Sequence, residues 1–450
     1  MNVAIIGNGI SGVSAARMIR KIDNQAVITI ISAETEHFFS RTALMYIYMG
    51  HMRYEDTKPY EDWFWAKNRI NLLQDRVEAI DVEAKILALE KTGTMSFDKL
   101  ILATGSKPNK FGWPGQDLKA VQGLYTYQDL ESMEAATDAT LKRAVIVGGG
   151  LIGIEMAEMF HARHIPVTFL VRENSYWDKV LPPEESKMIN REILANGIDL
   201  QLATELKEIL GDENARVNAV ITNKAEKIDC QFVGLTAGVS PNIEFLKASE
   251  IETDRGILVN DFLMTNIYDI YAIGDCAQLR NPMPGRMPTE AVWYTGRMMG
   301  ECAAYNICGK PVKYDPGVWF NSAKFFDIEY QVYGHIKPQL EEGTKTLYWE
   351  HPKGKKSIRI NYEKDSGAVI GFNLMGIRYR HEVCERWILN KTAIDEVLEN
   401  LALANFDPEF FKTYEKAIIE VYNRSAEKPI KLKKKRGLGA VLRFLISREG

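Results

Sequence analysis

Apolar residues along this chain fall into short unbroken runs separated by glycine turns and small-faced amphipathic stretches. Val3-Ala4-Ile5-Ile6 is one such run, of the kind a strand buried on both faces needs. GNGISG follows at 7–12, then a small-faced helix over Val13-Ser14-Ala15-Ala16-Arg17-Met18-Ile19, then the β-branched strand Val27-Ile28-Thr29-Ile30-Ile31. The same order recurs at 144–171: Ala144-Val145-Ile146-Val147, GGGLIG at 148–153, a helix from Ile154, and Val167-Thr168-Phe169-Leu170-Val171. The copies lie about 140 residues apart, too far for a solenoid repeat, and read as two copies of one nucleotide-binding unit.

Between the copies, Ile80 to Leu102 alternates and closes with Leu100-Ile101-Leu102-Ala103-Thr104-Gly105. A comparable set of strands around 228–275 ends in Ile270-Tyr271-Ala272-Ile273-Gly274-Asp275. With the second unit inserted in the first, residues 1–112 and 250–312 form one discontinuous domain and 113–249 the inserted one. From about 315 the pattern changes to aromatic, alternating strands such as Ser357-Ile358-Arg359-Ile360-Asn361-Tyr362, with helices over 381–423. The predicted fold class is α/β: two Rossmann-like dinucleotide-binding domains, a C-terminal α+β domain over 315–424, and a tail at 425–450.

Composition narrows the class. The 450 residues are 46% hydrophobic and 26% charged with 5 Cys, which excludes disorder, collagen and a disulfide scaffold for the whole chain. No run approaches the ~20 apolar residues of a membrane span. The N-terminus has no charged region ahead of its short apolar run, so no cleaved signal is expected, and the few cysteines fit a reducing cytoplasm. The net charge of −4 conceals an asymmetry: residues 421–450 hold nine Lys/Arg and two acids, a net of +7, leaving −11 on the other 420. A general nucleic-acid-binding face is therefore not expected. Lys431 to Arg436 precede Leu438, Val441, Leu442 and Leu445, spaced as one face of a helix. Such a basic amphipathic segment suits an anionic membrane or an acidic partner, against the alternatives of a frayed tail or docking on the protein's own acidic body.

The glycine motifs have physical roles. Gly7 permits the tight turn, Gly9 lets backbone approach a pyrophosphate, and Gly12 lets the helix pack close to its strand. Glu34, just after the second strand, is placed to accept from a ribose 2′-OH. Gly148, Gly150 and Gly153 repeat those parts in the second copy. There the strand ends in Leu170-Val171-Arg172-Glu173, which leaves three readings: Arg172 on a 2′-phosphate, pointing to NADPH; Glu173 on a 2′-OH; or a surface Arg. Two dinucleotide sites in one chain imply a relay from a nicotinamide to a second redox cofactor. No cysteine pair has metal-ligand spacing, so no metal is expected and most cysteines read as small buried hydrophobes.

GNGISG, the ATG at 103–105, GGGLIG followed by Glu155, and YAIGD at 271–275 together resemble the flavoprotein pyridine nucleotide-disulfide oxidoreductases, over about residues 1–310. That resemblance implies FAD and NAD(P)H as cofactors. It places Asp275, in a motif with Gly274, on the flavin's ribityl chain. Thr104, Gly105 and Val77 would lie among the FAD-binding positions. Glu155 would stand at the flavin–nicotinamide contact as the catalytic residue, its plain reading being a helix N-terminal acid. The stretch Phe38 to Tyr46 has no cysteine where disulfide reductases carry CxxxxC, so thiolate chemistry is not expected. This stretch is similar to that of ferredoxin and rubredoxin reductases, with Arg41 matching an FAD-contacting Arg, and Trp319, Phe320 and Ser322 match the opening of their C-terminal domain. Asn321 and Tyr46 depart from that pattern, where a Trp and a Lys are usual. Trp293, in EAVWYTG, would lie against the flavin or serve as a core aromatic. The resemblance implies an FAD-dependent NAD(P)H oxidoreductase passing electrons to a separate acceptor, a ferredoxin- or rubredoxin-type carrier, and a homodimer through the C-terminal domain. Two alternatives are a membrane-associated NAD(P)H:quinone reductase with the tail as anchor, and a flavoprotein that chiefly binds partners.

Overall fold

The Val3–Ile6 run forms strand Asn2–Ile6 at the centre of a five-stranded parallel sheet, in a computed structural model that describes residues 1–138 and 141–433. The order across the sheet is Ile270–Ala272, Lys99–Leu102, Asn2–Ile6, Val27–Ser32, Ile70–Gln74. A second parallel sheet repeats the plan: Asp199–Leu202, Val167–Val171, Ala144–Val147, Phe232–Leu235, Val121–Gln122. Both central strands are aliphatic on both faces, which suits sheets covered on each side.

The first glycine-loop helix spans Ile10–Ile22, one turn longer at its start than the apolar pattern marks, because Gly9 is its N-cap and the glycine motif supplies the first turn. It packs on helix Trp293–Ile307 so closely that a Cβ at Gly300 would lie 2.4 Å from Ser11 O. Cys302 sits in that helix and Cys308 at its C-cap. Among the described residues no helix is long and apolar enough to cross a membrane. The basic cluster from residue 434 onward and the amphipathic face after it lie outside the described residues.

The chain divides into two compact units, one of Met1–Trp177 with Ile193–Gly317, the other of Asp178–Glu192 with the described residues from Val318 onward. The later unit is built on an antiparallel sheet ordered Phe320–Phe325, Ile328–Gly334, Val369–Met375, Ser357–Glu363, Thr344–Glu350. Ile358, Ile360, Phe372 and Leu374 form its core with Val383, Trp387, Val397 and Leu398 of helices His381–Leu389 and Ile394–Glu399. Period-2 alternation in Ser357–Tyr362 suggests a polar face turned to water. Ser357, Arg359 and Asn361 are nevertheless buried. Arg359 donates from Nε to Glu185 Oε1 at 2.8 Å and from Nη2 to Glu184 Oε2 at 2.6 Å, so carboxylates of the 178–192 segment meet the guanidinium.

Candidate functional site

The site grows from one tight turn. Gly7 has φ +115°, and a Cβ there would lie 2.1 Å from Ala103 O on the neighbouring strand's extension. Gly12 is pressed as closely on the turn, its own Cβ position 2.1 Å from Gly7 O. Gly9 differs: nothing lies within 4 Å of a Cβ built there. Among the described residues no side chain caps the helix that starts at Ile10, and its first turn carries no acid. Its first amide groups therefore open onto a cleft at the positive end of the helix, an arrangement that attracts phosphate.

The cleft has a volume of about 570 Å³, and Gly7, Gly9, Glu34, Arg41, Val77, Thr104, Gly105, Asp275, Trp293 and Glu155 all line it. Gly12 and Gly274 do not line it; they pack beneath, with a Cβ at Gly274 falling 2.6 Å from Ser11 Oγ. Trp293 is 38% exposed, so the core-aromatic alternative does not describe it. Thr104 faces the cleft while its hydroxyl donates to Asn242 O at 2.8 Å.

Glu34 and Arg41 were expected to meet a ligand separately. They pair with each other: Arg41 Nη1 donates to Glu34 Oε1 at 2.9 Å and Nη2 to Oε2 at 2.6 Å. Tyr127 N–H adds a third bond to Oε1 at 2.7 Å. Burial opposes the Arg41 charge, yet the bond and charge of Glu34 outweigh it and hold the guanidinium protonated. Asp275 lies in the short turn Gly274–Cys276 after strand Ile270–Ala272. Burial pushes its carboxyl up, against the pull of Tyr125, Ser106 and Arg41.

The second glycine unit reaches the same cleft. Gly148 and Gly153 repeat the close turn, Gly150 is the uncapped N-cap of helix Leu151–Ala162, and Tyr176 donates from its hydroxyl to Gly150 O at 3.0 Å. Leu151, Ile152 and Glu155 line the cleft. Glu155 stands in the second turn of the helix, so the helix-terminus reading does not account for it. Burial, and secondarily the charge of Glu158, push its carboxyl up to about 7. Gly148, Gly150, Gly153 and Arg172 do not line the cleft. Arg172, with 71% of its side chain exposed, donates from Nε to Glu173 Oε1 at 2.7 Å, and Glu173 is 15% exposed.

Three residues that no motif singles out also belong here. Ser106, Tyr125 and Gln128 line the cleft, and Gln128 Nε2 donates to Glu34 O at 2.9 Å. Tyr125 sits on a strap, residues 124–126, that leads into helix Tyr127–Ala136, and Gln128 in the first turn of that helix. Its one sequence signal is the Thr126–Asp129 capping box, which marks a helix start but no ligand. Among the described residues no group of His, Cys, Asp or Glu could hold a metal, and no cysteine lines the cleft. Cys276, next to Asp275, is buried and its thiol is pushed up by that burial, which leaves it protonated and unreactive.

These features fit FAD. A diphosphate suits the open amides of the first glycine helix, and polar acceptors at both Glu34 and Asp275 suit the hydroxyls of a ribose and a polyol chain. The second uncapped glycine helix fits the diphosphate of a nicotinamide nucleotide.

Residues 1–300 match the family described as pyridine nucleotide-disulphide oxidoreductase. The chain is 28% identical over 372 residues to nitrite reductase [NAD(P)H] of Bacillus subtilis, covering 82% of this chain and 45% of that one. It therefore spans about half the length of that relative. It is 27% identical over 323 residues to rubredoxin-NAD(+) reductase of Pseudomonas putida, covering 71% of this chain and 83% of that one. Among solved structures, NADH:rubredoxin oxidoreductase from Clostridium acetobutylicum superposes with a TM-score of 0.68 at 25% identity, covering 88% of this chain and 95% of that one.

Proposed function

Because the chain belongs to the pyridine nucleotide-disulphide oxidoreductase family, we propose that it is an FAD-dependent NAD(P)H oxidoreductase that delivers electrons to a separate redox carrier of the rubredoxin or ferredoxin type. One observation carries this reading: Leu151, Ile152 and Glu155 of the second glycine unit line the cleft built on the first. A nicotinamide bound at the second unit is thereby brought to whatever the first unit holds. FAD, when bound, supplies the site that takes up hydride and parts with electrons singly. The chain's own part is to bind, orient and tune charge. The absence of cysteine from the cleft lining argues for an external acceptor over an internal disulfide, and rubredoxin-NAD(+) reductase is among the similar proteins. The reading is tested by mixing the purified protein and FAD with NADH or NADPH in the presence of rubredoxin, a [2Fe–2S] ferredoxin or a short-chain quinone. Fast reduction of a protein carrier supports it. Failure of both nucleotides to bleach the flavin overturns it, and reduction of the quinone alone replaces the carrier with a quinone.

Glu155 is the proposed catalytic residue. A carboxylate beside the nicotinamide stabilises the positive charge that develops there as hydride departs, and a neutral carboxylic acid does so far less. With its carboxyl near 7, the rate of flavin reduction by NADH is expected to rise with pH through that value. Glu155→Gln should flatten the profile at its low-pH level in a stopped-flow series from pH 6 to 8.5. An unchanged profile in the variant would remove Glu155 from the reaction.

We also infer a preference for NADH. Glu173 is half-sheltered at the end of the second strand and Arg172 is tied to it, so the group offered to a ribose is a carboxylate acceptor, which suits a 2′-OH and repels a 2′-phosphate. Glu173→Ala is expected to raise the Michaelis constant for NADH about tenfold, the loss of one charge-assisted hydrogen bond. The same variant should lower the constant for NADPH. Arg172→Ala should affect both nucleotides alike, and a rise confined to NADPH would restore the 2′-phosphate role to Arg172.

A further inference from the structure

Tyr125 is one of the polar residues of the cleft that no glycine or acidic motif accounts for. Its phenol oxygen lies 2.9 Å from Ser106 N and 3.0 Å from Asp275 Oδ2. Ser106 N–H donates into the phenol, so the phenol proton is directed at the Asp275 carboxylate. Ser106 Oγ lies 3.3 Å from the same carboxylate oxygen and donates to it as a second, longer contact. The chain makes room for this arrangement: Gly105 has φ +68°, and a Cβ there would stand 2.8 Å from the phenol oxygen. Arg41 lies over the ring at 4.5 Å and donates to the Tyr125 carbonyl, while Asp129 Oδ2 accepts from Tyr125 N–H at 2.9 Å. Ring, backbone and hydroxyl are thus all fixed, from three different segments of the chain.

We propose that Tyr125 is a positioning residue whose hydroxyl holds the Asp275 carboxylate in place as an acceptor for the hydroxylated chain of FAD. The role rests on the FAD reading above. Two consequences separate it from simple packing. First, Asp275 is faced by Tyr125 from the strap, Ser106 from strand Ser106–Pro108, Arg41 from the turn Arg41–Ala43, and the buried, protonated thiol of Cys276 beside it. Arg41 shares its charge with Glu34. Burial drives the Asp275 carboxyl towards its neutral form, and Tyr125, Ser106 and Arg41 oppose that. Without the phenol proton, Asp275 takes up a proton at a higher pH and ceases to be a full acceptor. Second, Tyr125 acts only through Asp275, so its effect vanishes once that carboxylate is gone.

The test uses the full-length protein stripped of flavin and titrated with FAD by flavin fluorescence between pH 6 and 9. Wild type, Tyr125→Phe, Asp275→Asn and the double variant are compared. Tyr125→Phe is expected to bind FAD about tenfold more weakly at pH 7, and the pH at which affinity falls on acidification should move upward. The double variant should bind no more weakly than Asp275→Asn alone. If Tyr125→Phe is not obtained folded, Ser106→Ala, which removes the second donor to the same oxygen, should shift the pH profile in the same direction. Tyr125→Phe with wild-type affinity and pH profile, or a loss that adds in full to that of Asp275→Asn, overturns the proposal. Failure of the wild-type protein to bind FAD would instead overturn the reading on which it rests.

Discussion

Replacing Gly7 by alanine is expected to leave the protein without flavin and less stable by about 3 kcal/mol or more. The methyl group would enter at 2.1 Å from Ala103 O and 2.7 Å from Ala103 C, and both are backbone atoms. No rotamer change relieves that contact. Ala103 N–H is itself bonded to Ile6 O at 2.8 Å, so yielding means breaking the join between two central strands. The φ of +115° adds strain, since an L residue rarely adopts it. Gly9→Ala is the informative comparison. Nothing lies within 4 Å of its Cβ position, so its cost should be limited to that of a poorer N-cap, about 1 kcal/mol. Its methyl group would nevertheless stand where a phosphate approaches the helix, and flavin content should fall. Denaturant melts of flavin-free protein, with absorbance at the flavin band of protein purified with FAD, separate the two effects. A Gly7→Ala protein that melts like wild type would mean that the turn can be rebuilt, and the close-turn account would be wrong.

The second large effect lies in the later unit. Arg359→Met is expected to destabilise the protein by about 3–5 kcal/mol at neutral pH, because it strands a buried carboxylate. Glu185 has no exposed side-chain surface, whereas Glu184 is 51% exposed and can turn to water. Burial already pushes the Glu185 carboxyl up, and Arg359 is the charge that opposes this. With the guanidinium gone, the folded carboxyl ionises far above its unfolded counterpart. A raised acid of this kind costs stability above its unfolded pKa, and the cost grows with pH until the folded pKa is reached. The deficit of Arg359→Met should therefore shrink as the pH is lowered towards 5. Adding Glu185→Leu should recover most of it at pH 7, since neither charge then remains. Thermal melts at two pH values for the three proteins check this. A single variant within about 1 kcal/mol of wild type at pH 7 would show that water reaches Glu185 after all.

Much of this was legible in the sequence because the two glycine units use local rules. A buried strand, a glycine turn and a helix occupy some thirty contiguous residues, and the acid after the strand sits at a fixed offset. Glu34 lines the cleft as that pattern suggests, and Asp275 and Glu155 line it as the family resemblance implies. What sequence could not supply are relations between residues whose separation follows no rule. Glu185 and Arg359 are 174 positions apart, and each alone reads as a solvated charge. Tyr125 and Asp275 are 150 apart, and a tyrosine before a helix start is an ordinary aromatic. The pairing of Arg41 with Glu34 spans only seven residues, yet a ligand-centred reading assigned each its own contact. The polar alternation in Ser357–Tyr362 leaves the burial of Arg359 open for a related reason. Periodicity shows which residues share a face, and not whether another segment covers it.

The order of strands in the first sheet also bears on how the protein is made. Its central strand is translated at once and that strand's neighbour Lys99–Leu102 soon after, but the edge strand that pairs with the neighbour's other side, Ile270–Ala272, comes 168 residues later. At ribosomal speed that is a wait of roughly ten to thirty seconds, during which an aliphatic strand edge on the nascent chain has no native neighbour. The second sheet, whose strands run from Val121 to Leu235, is completely translated within that wait. The later-starting half can therefore finish folding first. Its host closes only when residue 272 has cleared the exit tunnel, which makes the interval before that moment the one in which a chaperone has most to shield.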